Sequence, residues 1–260
     1  MFFQQFGGSQ TVYANLGSAL NYRGSATGAD VADILNIINI NTELNTAFGA
    51  SWATDTSLFA GIAGVLSTST STSGLDNGDP KRTLYISASR GSVGTVGLAD
   101  SIAYNIAGNN QMTTISGGIT AMNNVLETIY TTAVAVSPVG TSNIDNQNGF
   151  LNSTTQNNAF GGVSGGVQQM GSASSFGTFG SVSGAEFVLD LYRIAPYTNI
   201  ATQVGFNEIA RLGTYEGSFA LDGSGNVSFI GAVPEPSTYA LIALTGILYF
   251  FVNKRRKANS

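Results

Sequence analysis

The last 28 residues constrain this chain more than any other stretch. Tyr239 to Val252 is an uncharged apolar run of 14 residues, and after Asn253 come Lys254, Arg255, Arg256 and Lys257. A core helix is not closed by consecutive cations, because buried charge has to be paired. The run therefore reads as a membrane-seeking helix. It divides the chain into a body, residues 1–231, and a tail, residues 232–260. Fourteen helical residues reach only ~21 Å, short of a hydrocarbon core of roughly 30 Å. Starting the helix at Ser237 and letting Lys254 and Arg255 snorkel narrows the gap. The expected span is 238–252, carried by Tyr239, Leu241, Ile242, Leu244, Ile247, Leu248, Tyr249, Phe250, Phe251 and Val252. Its marginal length suits a temporary hold. The basic stop at 253–257 belongs in the cytoplasm by the positive-inside rule, with the body on the outer side of the membrane.

Ahead of the helix stands Val233-Pro234-Glu235-Pro236-Ser237. Its prolines fix φ and remove backbone donors, so they hold the chain extended and uncouple helix from body. Motif, apolar helix and basic end, in this order and spacing, resemble the PEP-CTERM sorting signal of exported bacterial proteins. The resemblance covers about a tenth of the chain. It implies recognition by an exosortase-type membrane enzyme, cleavage near Pro-Glu-Pro, and release or transfer of the body to the cell surface. The same tail also goes under the name ice-binding protein C-terminal domain, which by itself does not imply ice binding. The Ser67 to Ser73 run is too short and irregular for a flat threonine array.

Composition agrees with export. The chain has no Cys and no His, and only 10% of its residues are charged, against roughly 25% in ordinary soluble proteins. No disulfide can brace the fold. Without Lys254 to Lys257 and Glu235, the body holds 6 basic and 14 acidic residues, a net charge of −8. Nucleic-acid binding needs clustered bases, and no Lys or Arg stands between Arg90 and Arg193. The opening residues Met1-Phe2-Phe3-Gln4-Gln5-Phe6-Gly7-Gly8 do not read as a signal peptide. Two readings follow, a vestigial tail or a start further upstream that brings an export signal and one further strand; the second is the expectation. Thr11-Val12-Tyr13-Ala14-Asn15-Leu16-Gly17, Trp52, Leu58-Phe59, Gly61 to Val65, Asn77 to Pro80 and Arg82 to Ser87 also resemble stretches in a recurring group of exported PEP-CTERM proteins. That likeness implies architecture and no particular chemistry.

The body reads as one mainly β domain with one or two short helices, an antiparallel sandwich or jelly-roll-like fold. Thr11 to Leu16 alternates as a strand. Ala29 to Phe48 places Val31, Ile34, Leu35, Ile38 and Leu44 near helical spacing. Leu58 to Ser67 and Arg82 to Ser87 are strand-like, joined by a long hairpin loop through Ser67 to Ser73 and Asp76 to Pro80. Ala121 to Tyr130 fits a second short helix. Phe187 to Ile194 is a central strand. Tyr215 to Leu221 and Asn226 to Ile230 flank Asp222-Gly223-Ser224-Gly225 and form a hairpin, expected to bury Tyr215, Phe219, Val227 and Phe229 or their neighbours. Ala159 to Gly184 holds 8 glycines and no charge. It reads as a surface loop, with a Gly-rich strand pair as the alternative.

Catalysis is narrowed by subtraction. Ser164 in Gly162-Val163-Ser164-Gly165-Gly166 matches a nucleophile elbow formally but has no imidazole base. Without Cys, thiol chemistry and the usual zinc sites fall away. Gly91 to Gly97 lacks the dinucleotide spacing. Paired carboxylates remain, and Asp76, Asp79, Glu186, Asp190, Glu208 and Glu216 are the candidates for glycosidase chemistry. Asp76, Asn77 and Asp79 also offer hard oxygen ligands for calcium, without the ordered spacing of a calcium loop. Trp52, Tyr192, Tyr197 and Tyr215 are candidates for stacking on sugar rings, although core packing is the commoner use. The sequence reading is a surface-displayed or secreted matrix-associated protein, without cofactor or catalytic residues, with extracellular polysaccharide as a candidate partner. The alternative is a secreted carbohydrate-active enzyme.

Overall fold

The structure, a computed structural model, describes residues 1–5, 10–23, 35–66, 75–76, 79–89, 102–104, 119, 134–138, 167–169, 178–179, 182–183, 185–195 and 211–232. In chain order the strands are β1 (Phe2–Gln5), β2 (Gln10–Ala14), β3 (Leu35–Asn39), β4 (Leu58–Gly61), β5 (Ala63–Val65), β6 (Leu75–Asp76), β7 (Asp79–Pro80) and β8 (Leu84–Ser89). They continue with β9 (Ile102–Tyr104), β10 (Val134–Pro138), β11 (Val167–Gln169), β12 (Thr178–Phe179), β13 (Val182–Ser183), β14 (Ala185–Ile194), β15 (Arg211–Asp222) and β16 (Asn226–Gly231). Helix α1 (Asn41–Phe48) follows β3, and 3-10 turns lie at Ala19–Tyr22 and Trp52–Thr54. The described chain is mainly β, and every strand pairing in it is antiparallel.

Two larger sheets carry the body. One has the order β10-β2-β1-β4-β11; the other runs β3-β16-β15-β14-β8-β5, with β9 also on β15. The chain passes from the first sheet to the second at Ile62, between β4 and β5. Met1, Phe3, Val12, Ala14, Leu58 and Ala60 from the first sheet join one hydrophobic cluster with Tyr85, Leu189, Leu191, Phe219, Leu221, Val227 and Phe229 from the second. Burying each large side chain contributes roughly 1.5–3 kcal/mol. The opposite face of the second sheet is also buried, at Leu84, Ile86, Val188, Tyr192, Ile194, Ala220 and Ile230. A strand buried on both faces loses its polar alternation, which is why Phe187 to Ile194 reads as nearly continuous apolar sequence.

Turn chemistry sets the clearest boundary. Between β15 and β16 the Asp222 carboxylate accepts from the N–H groups of Ser224 and Asn226, both at 2.9 Å. Gly225 takes φ +79°, and its carbonyl accepts from Ile40 N at 2.9 Å, so the turn docks on the start of α1. Across the hairpin Phe219 stands opposite Phe229, with ring centroids 4.7 Å apart. Tyr22 packs edge-on to both rings at 4.9 Å.

Several expectations need correction. Residues 35–39 are strand, not helix: Leu35, Asn36, Ile38 and Asn39 pair with β16, and of the described part of this stretch Asn41–Phe48 is helical. Tertiary pairing overrides the helical spacing there. Asn39 makes the break, its Oδ1 accepting from Asn41 N at 3.1 Å. Within 159–184 the described residues are strands: β11 joins the first sheet beside β4, and β12 pairs with β13. The strand alternative therefore holds at those positions. The expected 58–67 strand is two strands, and the long β5–β8 connection contains the small β6–β7 hairpin. Tyr215 is half-buried and lies off the Phe219 face, for a reason given below. The helices expected at 121–130 and 238–252, and residues 29–34, lie outside the described residues. Among the described residues, no helix is long and apolar enough to cross a membrane.

A Cβ on Gly225 would stand 2.6 Å from Asn41 N, whereas one on Gly231 would meet nothing within 4 Å. Gly225→Ala is therefore expected to cost ~2–3 kcal/mol in urea denaturation. Gly231→Ala should be close to neutral.

Candidate functional site

Five ionisable side chains, Arg23, Asp79, Tyr85, Arg193 and Glu216, converge at one end of the second sheet. Arg193, next to last in β14, stands opposite Tyr85 on one side and Thr214 on the other. The β14–β15 register shifts there: Leu191 pairs with Gly217, but Tyr192 pairs with Tyr215. Glu216 is thus the extra residue of a bulge, and bulges re-aim side chains. Gly217 makes the bulge sterically feasible, since a Cβ there would sit 2.3 Å from Ile230 O. Beyond the bulge the alternation is reversed. Tyr215 therefore joins the opposite face, where its hydroxyl lies 2.6 Å from Ser218 Oγ. Ser218 Oγ in turn donates to Asp190 Oδ1 at 2.6 Å.

On the core side Glu216 meets Arg193. Arg193 Nε donates to Glu216 Oε1 at 2.6 Å, and its Nη1 donates to Asp79 Oδ1 at 3.0 Å. Arg23 Nη2 lies 3.3 Å from the same Asp79 oxygen. Tyr85 donates its hydroxyl to Asp79 Oδ2 at 2.7 Å. Asp79 is 1% exposed and Glu216 is 3% exposed. Burial, then the bond to and the charge of Asp79, push the Tyr85 phenol well above its usual range. Burial pulls the Arg193 guanidinium down, but the bond and charge of Glu216, with Asp79 and Tyr85 adding, hold it above its usual value.

Of the six candidate acids, the structure thus brings Asp79 and Glu216 together. They do not frame a glycosidase gap. That chemistry needs carboxylates roughly 5–9.5 Å apart with room for a glycosidic oxygen or a water, and here the guanidinium of Arg193 occupies the space between them. Asp190 belongs to the opposite face of β14. Asp76 and Glu186 sit on β6 and β14, while Glu208 and Ser164 lie outside the described residues. Both Asp79 oxygens are engaged by the bonds above, and Asn77 is outside the described residues. Among those described, no group of three or more Asp or Glu is placed to hold a metal ion. Trp52 and Tyr192 are each 1% exposed and serve as packing. Trp52 Nε1 donates to Asn41 Oδ1 at 3.2 Å, and Tyr197 is not among the described residues. The motif Val233 to Ser237, the apolar run and the basic stop also lie outside them.

Sequence reasoning missed Arg23, Tyr85 and Arg193. One signal was available: a lone cation near the end of an apolar buried strand has to find a carboxylate. It also missed a half-open cavity of about 330 Å³ next to the cluster, lined by Met1, Leu16, Tyr22, Gly64, Leu66 and Tyr85 among others. No protein-family model, curated protein or solved structure matches the chain.

Arg193→Met leaves two buried carboxylates without the guanidinium and is expected to cost ~3–5 kcal/mol. Tyr85→Phe removes one bond to Asp79 and should cost about 1–3 kcal/mol. Chemical denaturation measures both.

Proposed function

We propose that this chain is an exported, non-enzymatic protein, displayed at the cell surface or secreted, whose tail is a PEP-CTERM sorting signal. One observation carries the reading: Val233-Pro234-Glu235-Pro236-Ser237, the apolar run to Val252, and Lys254 to Lys257 stand in the order that a handover at the membrane requires. The last bond of the body supports it. Ala232 N donates to Glu216 O at 3.0 Å, so the sheet closes one residue before Val233. Pro234-Glu235-Pro236 begins two residues after Ala232, just past the described end of the sheet.

On this reading the helix 238–252 holds the precursor in the inner membrane, with residues 253–257 on the cytoplasmic side, while an exosortase-type enzyme acts at the motif. The body is a sandwich or jelly-roll-like unit, its two sheets sharing one core, and contributes to an extracellular matrix or binds polysaccharide. Its largest described charge cluster is filled by its own guanidinium, which favours a structural part over a hydrolytic one.

Expression in the native host, followed by fractionation and intact-mass measurement, tests the proposal. The expected product lies outside the cytoplasm and lacks the residues after the motif. Replacing Pro234 and Pro236 by Ala should leave the full-length form in the inner membrane. Full-length wild-type protein in the cytoplasm would sink the sorting reading.

A further inference from the structure

β1 lies between β2 and β4 and is antiparallel to both. Phe2 stands opposite Tyr13 on one side and Gly61 on the other. Met1 continues the first ladder in full: its N donates to Ala14 O, and Ala14 N donates to Met1 O, both at 2.9 Å. Stepping backward from Met1 along these two registers meets Asn15 and Ala63, then Leu16 and Gly64, then Val65. These residues line the cavity of about 330 Å³. The cavity is thus a slot in strand register with β1, directly ahead of it.

Among the described residues, no strand pairs with the backbone that lines the slot. Successive residues of an antiparallel strand aim their N–H and C=O groups at opposite neighbours. Met1 bonds to β2, so Phe2 aims at Gly61, and Gly61 aims at β1. Ile62 must then aim away from β1. It does: Ile62 O accepts from Ser87 N at 3.0 Å. Leu66 keeps the same phase, exchanging bonds with Thr83 O at 3.0 Å and Arg82 N at 2.8 Å. Ala63 and Val65 therefore aim into the slot. Among the described residues, β5 is the edge strand of its sheet. Such an edge is a template for one more strand.

A second observation comes from Met1 itself. Its ammonium is wholly buried, with Ala14 O as its hydrogen-bond acceptor. Burial lowers its pKa from 8.0 to about 5. A peptide N–H in the same place would keep the bond to Ala14 O and bring no charge into the core.

We propose that the slot seats an extended segment of the same polypeptide, which continues β1 ahead of Met1 for about three residues, or ~10 Å. The residue just ahead of Met1 exchanges bonds with Ala63. The second shares the face of Met1 and enters the cavity toward Tyr22, Leu66 and Tyr85, so it is apolar. The third pairs with Val65. This seat is independent of the sorting tail, and either can fail alone.

Protein isolated from the native host, read by intact mass and N-terminal sequencing, is expected to start ahead of Met1, with an apolar residue two positions before it. A folded native protein whose first residue is Met1 overturns the proposal. A second arm compares the chain starting at Met1 with the same chain preceded by Thr-Val-Thr or by Thr-Asp-Thr. Thr-Val-Thr should raise the thermal midpoint by ~5 °C, or restore folding if the shorter chain does not fold. Thr-Asp-Thr should not. Equal effects of the two extensions overturn the proposal. In the chain starting at Met1, the ammonium binds its proton less readily folded than unfolded. Its contribution to stability therefore falls as pH drops from about 8 to about 5. That slope should vanish when Thr-Val-Thr is present, and its persistence counts against the seat.

Discussion

Between Leu191 and Tyr192 the strand opposite advances by two residues, because Gly217 pairs with the first and Tyr215 with the second. The extra residue, Glu216, is buried, and a buried carboxylate requires a partner. Arg193 supplies it at 2.6 Å. The same shift moves Tyr215 to the other face, where it meets Ser218 and, through it, Asp190. One bulge therefore organises polar groups on both sides of a sheet that is largely apolar on both. Without it, Glu216 would turn to the opposite face, where Tyr215 now stands, and Arg193 would keep only Asp79 of its two carboxylate partners.

The ion cluster also ties together segments that no single sheet ladder joins. Arg23 comes from the N-terminal part, Asp79 from the β6–β7 hairpin, Tyr85 from β8, Arg193 from β14 and Glu216 from β15. Buried ion pairs add little net stability, because desolvation offsets their attraction, but breaking one side is costly. The physical effect is selective. Arrangements of these segments that separate the partners are penalised more than the native arrangement is stabilised. A cluster of this kind holds a register.

Where structure follows from adjacent residues, the sequence was readable. The β15–β16 hairpin was legible because Asp222 to Gly225 writes its turn locally. β14 was legible because ten consecutive residues form one mostly apolar strand. The stretch 35–39 was misread because its apolar spacing fits a helix as well as a strand, and pairing with β16, nearly 190 residues away, decides between them. The bond between Arg193 and Asp79 spans 114 residues, and no spacing rule reaches that far. Glu216 was named among the acids, but its partner could not be, because a bulge is a property of two strands. The tail is the opposite case: motif, apolar run and cations are contiguous, so the proposal for it rests on sequence alone.

β16 runs between β15 and β3, and its ladder ends where the tail begins. A pull on the residues after Ala232 enters the body along the axis of this inner strand. The load falls on hydrogen bonds at both flanks in shear, so many must yield together and none can be peeled off in sequence. A molecule tethered by its C-terminus would therefore resist traction through a strand paired on both sides, whereas a grip on an edge such as β3 could open the sheet one bond at a time.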